Sequence, residues 1–280
     1  MTGNSHFKGW AKPGPVPPGL VNGLTVAQDE TLDAISGHFR LFQLRDGHRF
    51  STDDILTAWY GTSWCPTART ALDLGSGIGT VGMIVAWRLP GARLVTVEAQ
   101  AASVALAKKS AKFNGLETRY EIREGDFRSP DVLRTDEKFD LITGSPPYFP
   151  PGTGVASEHP QKLACRFELR GTVADYCATA ARQLAPGGVF ACVFPYEPAQ
   201  LARVRTGARE AGLVIVRQRP VVFREGESPL IGLFAMMREP DLPDWICGRT
   251  WTEPELIIRT REGTIHPEYS SVKLAIGFPP

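Results

Sequence analysis

The stretch Ala71-Leu72-Asp73-Leu74-Gly75-Ser76-Gly77-Ile78-Gly79-Thr80 decides the fold. A short apolar run of strand character ends in an acid, and three glycines follow at alternate positions. From Thr80 to Arg88 the period changes, with Val81, Ile84 and Val85 on one helical face. A buried strand therefore passes into a helix through a turn that relies on glycine's positive φ, and the helix offers free N–H groups to whatever lies there. Glycine spacing alone would suit a dinucleotide equally well. Asp73 discriminates, because a carboxylate at the strand end repels a pyrophosphate but pairs with an ammonium group.

Outward from this turn, strand and helix alternate. Strands are expected at Thr70–Leu74, Arg93–Glu98, Tyr120–Arg123, Phe139–Thr143, Gly188–Phe194, Leu213–Arg219 and Leu230–Met237. Helices are expected at Thr80–Arg88, Ala101–Asn114 and Arg170–Leu184, the last stopped by Ala185-Pro186-Gly187-Gly188. The segment F-R-E-G-E-S-P joins the final two strands as a hairpin, so that pair should be antiparallel. The pattern predicts an α/β fold, a seven-stranded, mostly parallel sheet with an antiparallel last strand and helices on both faces. Ligands of such sheets bind at the carboxyl ends of the strands, near the topological switch point.

The flanks are less regular. Residues 1–24 are expected to form a Pro/Gly-rich tail, flexible or lying as a strap on the surface. A pre-core segment follows at 25–66, in which Asp46-Gly47 marks a turn. Ser51 or Thr52 can cap a helix that carries Asp53 and Asp54 in its first turn and Ile55, Ala58 and Trp59 on one face. The core domain is expected at 67–240 and a C-terminal extension packed on it at 241–280.

With 280 residues, 42% of them hydrophobic, the chain can bury a sizeable core. It carries 31 basic and 30 acidic residues, a net charge of +1, so no global field recruits nucleic acid or membrane and an RNA partner needs a local patch. Cys65, Cys165, Cys177, Cys192 and Cys247 are scattered, which argues against a metal site or disulfide framework and suits a reducing cytoplasm. No signal peptide or membrane-spanning run is evident.

Two more acids extend the reading of the first turn. Glu98 ends the second strand, where a carboxylate can accept from two ribose hydroxyls, and Asp126 ends the third, where it can accept from an adenine amine with Phe127 beside the ring. Together with Gly75, Ser76, Gly77 and Gly79 they specify a ligand with an amino acid, a ribose and an adenine but no phosphates, which is S-adenosylmethionine. Strand four then runs into Gly144-Ser145-Pro146-Pro147-Tyr148-Phe149. This rigid turn offers a hydroxyl, free carbonyls and aromatic faces, and it can hold a flat ring that bears an amine.

These motifs resemble those of class I S-adenosylmethionine-dependent methyltransferases, with their Rossmann-like fold. The closer resemblance is to the bacterial tRNA(Val) adenine-amine methyltransferases of the anticodon loop. It covers roughly residues 40–270: D-G-H-R-F-S-T-D-D-I-L at 46–56, the S-P-P-Y turn, A-R-Q-L-A-P-G-G at 181–188 and E-L-I-I-R-T-R-E-G-T-I-H-P-E-Y at 255–269. The resemblance implies that Phe50 and Thr52 join the cofactor site. It implies that Ser145 and Pro146 accept the amine N–H groups, that Pro147 stiffens the turn, and that Tyr148 stacks on the base. Phe149, Arg166 and Arg170 are expected to contact the RNA. The departure is Ser145, where the family usually has Asn or Asp. Some DNA methyltransferases acting on the cytosine amine use S-P-P-Y, so three readings stay open: an altered acceptor, a changed base preference or a weakened enzyme. A protein glutamine-amide methyltransferase and a catalytically silent RNA-binding member of the fold are the rival functions.

Overall fold

A computed structural model describes residues 5–21, 23–149, 161, 168, 171–246 and 248–279. The expected strands and helices appear with small shifts at their ends. In chain order the elements are β1 (His6–Phe7), β2 (Trp10–Ala11), β3 (Glu30–Ala34), β4 (Arg40–Leu44), α1 (Thr52–Trp64), β5 (Thr70–Leu74), α2 (Thr80–Arg88), β6 (Arg93–Glu98), α3 (Ala101–Phe113), β7 (Tyr120–Glu124) and β8 (Phe139–Gly144). They continue with α4 (Val173–Gln183), β9 (Leu184–Pro195), α5 (Pro198–Glu210), β10 (Leu213–Val222), β11 (Ile231–Arg238), β12 (Trp251–Thr252), β13 (Leu256–Ile257) and α6 (Pro267–Ala275).

The central sheet has the order β12-β10-β11-β9-β8-β5-β6-β7. Its seven long strands are those expected, and β11 enters between β9 and β10, antiparallel to both. The count of seven is corrected to nine, because the two-residue strands β12 and β13 each pair in parallel with β10 on its outer side. The stop expected at Ala185–Gly188 comes slightly earlier. Leu184 already pairs with Phe139, the next pair is Val189 with Leu141, and the Pro-Gly stretch between bulges out of the ladder.

Strand alternation divides the core into two layers. Ala71, Leu141, Val189 and Val193 pack with α1, α2 and α6 on one face. Leu72, Leu74, Ile142, Phe190 and Phe194 pack with α4 and α5 on the other. Asp73, between Leu72 and Leu74, points by this alternation toward the α1 side. The hairpin of β3 and β4 lies against α3, where the Ser110 hydroxyl accepts from the Phe42 N–H and Asn114 bonds both backbone groups of Arg40. The N-terminal residues lie as a strap: the Gly19 N–H bonds the Phe113 carbonyl, and Phe7 packs edge-on against Phe278.

The C-terminal residues are clasped to the core through Arg217 of β10. Its guanidinium is forked onto Glu253 and lies within 5.3 Å of the rings of Tyr60, Trp64 and Trp251. The Tyr60 hydroxyl donates at 2.8 Å to Oε1 of the same carboxylate, the oxygen that also accepts from Arg217 Nε. Glu253 is only 6% exposed and Arg217 18%. Removing one partner of such a buried pair leaves an uncompensated charge. Glu253→Ala is therefore expected to lower stability by about 3 kcal/mol in urea denaturation, a larger loss than Tyr60→Phe causes.

Candidate active site

At the carboxyl ends of β5, β6, β7 and β8 the structure opens a cavity of about 590 Å³. It brings together Asp73, Gly75, Ser76, Gly77, Glu98, Asp126, Phe127 and the whole turn from Ser145 to Phe149. Gly79 stands just behind as the N-cap of α2, with φ of +88°. Phe50 and Thr52 do not join this cavity and line a separate one beside α1. Arg166 and Arg170 lie outside the described residues.

The glycine turn is held in shape by its acid neighbour. Glu98, 6% exposed, accepts from the Gly77 N–H at 2.9 Å and from the Gln100 N–H at 2.7 Å, one bond on each oxygen. Each oxygen keeps a further lone pair for a hydroxyl. Gly77 has φ of +55°, and a β-carbon built there would meet nothing within 4 Å, so its bare backbone faces the open cradle. Gly75 has the opposite setting: a β-carbon would stand 2.1 Å from the Tyr176 hydroxyl. Tyr176 of α4 lies across both Gly75 and Gly144 and stacks edge-on with Phe127 at 4.6 Å. It lines the cavity, yet nothing in the sequence around it sets it apart from an ordinary core aromatic.

Asp73 is 3% exposed. Its Oδ1 accepts from the Thr143 hydroxyl at 2.8 Å, while its Oδ2 is buried without a hydrogen-bond partner. Burial, reinforced by the nearby Asp54 carboxylate and opposed by the Thr143 bond, pushes its pKa up to about 7. Asp54 itself is pushed up to about 6 by burial, against the hydrogen bonds it receives from Ser51. An ammonium group would relieve this acidic crowding and supply the donor that Oδ2 lacks. The Ser76 hydroxyl is a second buried group without a partner. Asp126 is more exposed and is forked by Arg128, whose Nη2 lies 2.6 Å from its Oδ2. An adenine amine would share that carboxylate with Arg128.

On the facing wall the turn is pinned at several points. The Tyr148 hydroxyl donates to Asp53 Oδ2 at 2.5 Å, and the Tyr148 carbonyl accepts from Gln200 at 3.3 Å. Its ring packs edge-on against Phe194 at 5.8 Å, and burial drives the phenol pKa well above its ordinary value. Asp53 also lines the cavity, and burial raises its pKa despite the Tyr148 bond. Ser51 caps α1, its N–H donating to Asp54 at 2.9 Å, and both aspartates line the cavity. In the sequence Asp53 and Asp54 read only as favourable charges in a first helical turn. Ser145 is half-buried at the cavity wall, and Phe149, 39% exposed, stands at its mouth. Among the described residues no group of His, Cys, Asp and Glu could hold a metal ion, and no helix is long and apolar enough to cross a membrane.

Sheet order, glycine turn and strand-end acids define a class I methyltransferase, a fold whose members draw the methyl group from S-adenosylmethionine. Residues 62–198 match the family model described as methyltransferase small domain. An Agrobacterium tumefaciens structure titled a predicted O-methyltransferase superposes with a TM-score of 0.58 at 18% identity, over 81% of this chain and 98% of that one. The tRNA1(Val) (adenine(37)-N6)-methyltransferase of Bacteroides thetaiotaomicron is 32% identical over 192 residues, 65% of this chain and 73% of the relative. Its counterpart from Histophilus somni is 26% identical over 238 residues, 84% and 92% of the two chains. The chain belongs to the tRNA1(Val) (adenine(37)-N6)-methyltransferase family, and it is an enzyme of methyl transfer.

The buried Asp73 carboxylate gives a signed pH test. A folded-state pKa raised from 3.8 to about 7 means stability that is present below about pH 4 and is lost as the pH rises through 7. Asp73→Asn is expected to stabilise the ligand-free protein at pH 8, by on the order of 1–3 kcal/mol, and to weaken S-adenosylmethionine binding at least tenfold. Thermal melting at pH 5 and pH 8, with calorimetric titration, reads both effects.

Proposed function

We propose that this enzyme methylates the exocyclic N6 amine of an adenine in the anticodon loop of a tRNA. The observation that carries the reading is the sharing of one cavity by the Ser145–Tyr148 turn and the acids Asp73, Glu98 and Asp126. A methyl donor and a planar amine can meet there without either leaving its own wall. The names of the relatives support adenine and tRNA as the substrate class. We take residues 67–240 as the catalytic unit, 25–66 and 241–280 as segments that build its substrate side, and the cytoplasm as its compartment.

In this reading Asp73 pairs with the amino group of S-adenosylmethionine, Glu98 accepts from its ribose and Asp126 from its adenine, with Phe127 beside that ring. Gly75, Ser76, Gly77 and Gly79 give the close backbone approach. When bound, this cofactor supplies an already activated methyl group, so the protein needs to generate no strong nucleophile.

The chain's own task is to aim a poor nucleophile, because the lone pair of an aromatic amine is delocalised into its ring. Hydrogen bonds accepted by the Ser145 hydroxyl and the Pro146 carbonyl draw the two N–H groups aside and free the lone pair. Pro147 keeps the turn from relaxing. Tyr148 stacks on the base, and Asp53 fixes the height and tilt of that ring through the phenol. Serine is one bond shorter than asparagine and must send its own proton elsewhere. The base presented by an anticodon loop is turned out at low cost because it is already single-stranded.

Three measurements test this reading. Methyl transfer to total tRNA should fall roughly 10- to 100-fold in Ser145→Ala and be retained in Ser145→Asn, and equal activity of Ser145→Ala would remove the hydroxyl from the mechanism. Tyr148→Phe keeps the ring and loses only its tether to Asp53, so kcat is expected to drop several-fold with unchanged cofactor affinity. Mass spectrometry of tRNA nucleosides from a deletion strain should show the loss of N6-methyladenosine from one anticodon-loop adenine. An unchanged adenine there would overturn the substrate assignment.

A further inference from the structure

A second cavity of about 600 Å³ lies between the pre-core helix and the C-terminal residues. Phe50, Tyr269 and Phe278 line it together with Thr52, Arg259 and Lys273. Ser51 lines this cavity and the active-site cavity alike, so the two share a rim at the N-terminus of α1.

Lys273 of α6 is 8% exposed. Among the described residues its side chain forms no ion pair or hydrogen bond, and its ammonium sits 5.5 Å above the Phe278 ring. Burial lowers its pKa, and the positive charges of Lys8 and Arg259 add to the effect. Among the described residues no carboxylate lines the cavity. A lysine whose stem is buried and whose charge faces two other cations gains from an anion placed beside it. Three aromatic side chains beside such a group suit a π-face attached to a phosphate.

Resting on the substrate reading above, we propose that this cavity holds the nucleotide adjoining the methylated adenine. Its base lies on Phe50, Tyr269 and Phe278, and its phosphate sits against Lys273 and Arg259. The pre-core and C-terminal segments then serve as the RNA clamp, and Phe50 and Thr52 act on the substrate side. Placement at the shared rim means that the flanking nucleotide enters as the target base turns into the neighbouring cavity. The pair of cavities reads two consecutive nucleotides of a single strand.

The test uses the whole protein and a fluorescent anticodon stem-loop RNA, with binding followed by anisotropy at several salt concentrations. Lys273→Met should weaken binding about tenfold and reduce the salt slope by about one, as loss of one phosphate contact requires. Lys273→Arg should restore most of the affinity. Arg259→Gln, at an exposed position whose side chain donates, among the described residues, only to the Gly263 carbonyl, should lower affinity in the same direction. Lys138→Met, just before β8 at the opposite end of the strands, should change nothing. S-adenosylmethionine affinity should be equal in all variants. Unchanged RNA affinity and slope in both Lys273→Met and Arg259→Gln would overturn the proposal, as would failure of the wild type to bind the RNA. Methylation of the same RNA separates the two readings. Binding that depends on Lys273 without methyl transfer sinks the substrate assignment alone, and methyl transfer with an unchanged KM in Lys273→Met sinks the second cavity alone.

Discussion

One hydrogen bond, from the Thr143 hydroxyl to Asp73 Oδ1, joins the two halves of this site. It crosses from β8 to β5, the central pair of the sheet, from which the chain winds outward in opposite directions. The acid ends the strand that leads into the glycine turn, and the threonine stands two residues before Ser145. Any shift between these strands would move one half of the site relative to the other. The register of β5 on β8 is thus the ruler of the active site, and it is fixed by apolar residues on both faces, Leu72 and Ile142 on one, Ala71 and Leu141 on the other.

Much of this was readable before any coordinates. Strands β5 and β6 and helix α2 have the ends that their residues predict, because apolar runs broken by acids and glycines leave little latitude. The strand-end acids were legible for the same reason, since topology alone carries them to one edge. Helix α5 was not: only Val204, Gly207 and Ala208 are buried in it, so its sequence shows no clear apolar stripe. The hairpin of β3 and β4 was equally obscure, since its period is ambiguous and its buried Leu41 and Phe42 are placed together with polar groups reaching from α3. Asp53 was visible as a residue but not as a partner, because its contact with Tyr148 spans 95 positions and depends on where α1 docks. Phe50 and Thr52 were assigned by resemblance to the cofactor site, and the docking of α6 encloses them in the second cavity instead.

Charge is distributed in a way that composition hides. With nearly equal numbers of acids and bases, the chain puts Asp53, Asp54, Asp73, Glu98 and Asp126 around one cavity, against Arg45 and Arg49, and Arg259 and Lys273 around the next. An acidic cavity discourages phosphates and welcomes an ammonium-bearing ligand, while the neighbouring one does the reverse. The two environments meet at Ser51, a neutral residue that also caps α1.

The clasp around Glu253 also bears on the order in which the protein is made. Helix α1 leaves the ribosome early, but the carboxylate that accepts from its Tyr60 hydroxyl is 193 residues downstream. Until that segment emerges, Tyr60 and Trp64 have neither Glu253 nor Trp251 to cover them, and Arg217 lacks its counter-charge. The wall of the cavity built on Asp53 thus takes its final form late in synthesis. A nascent chain carrying the complete glycine turn therefore still lacks the finished wall that faces it.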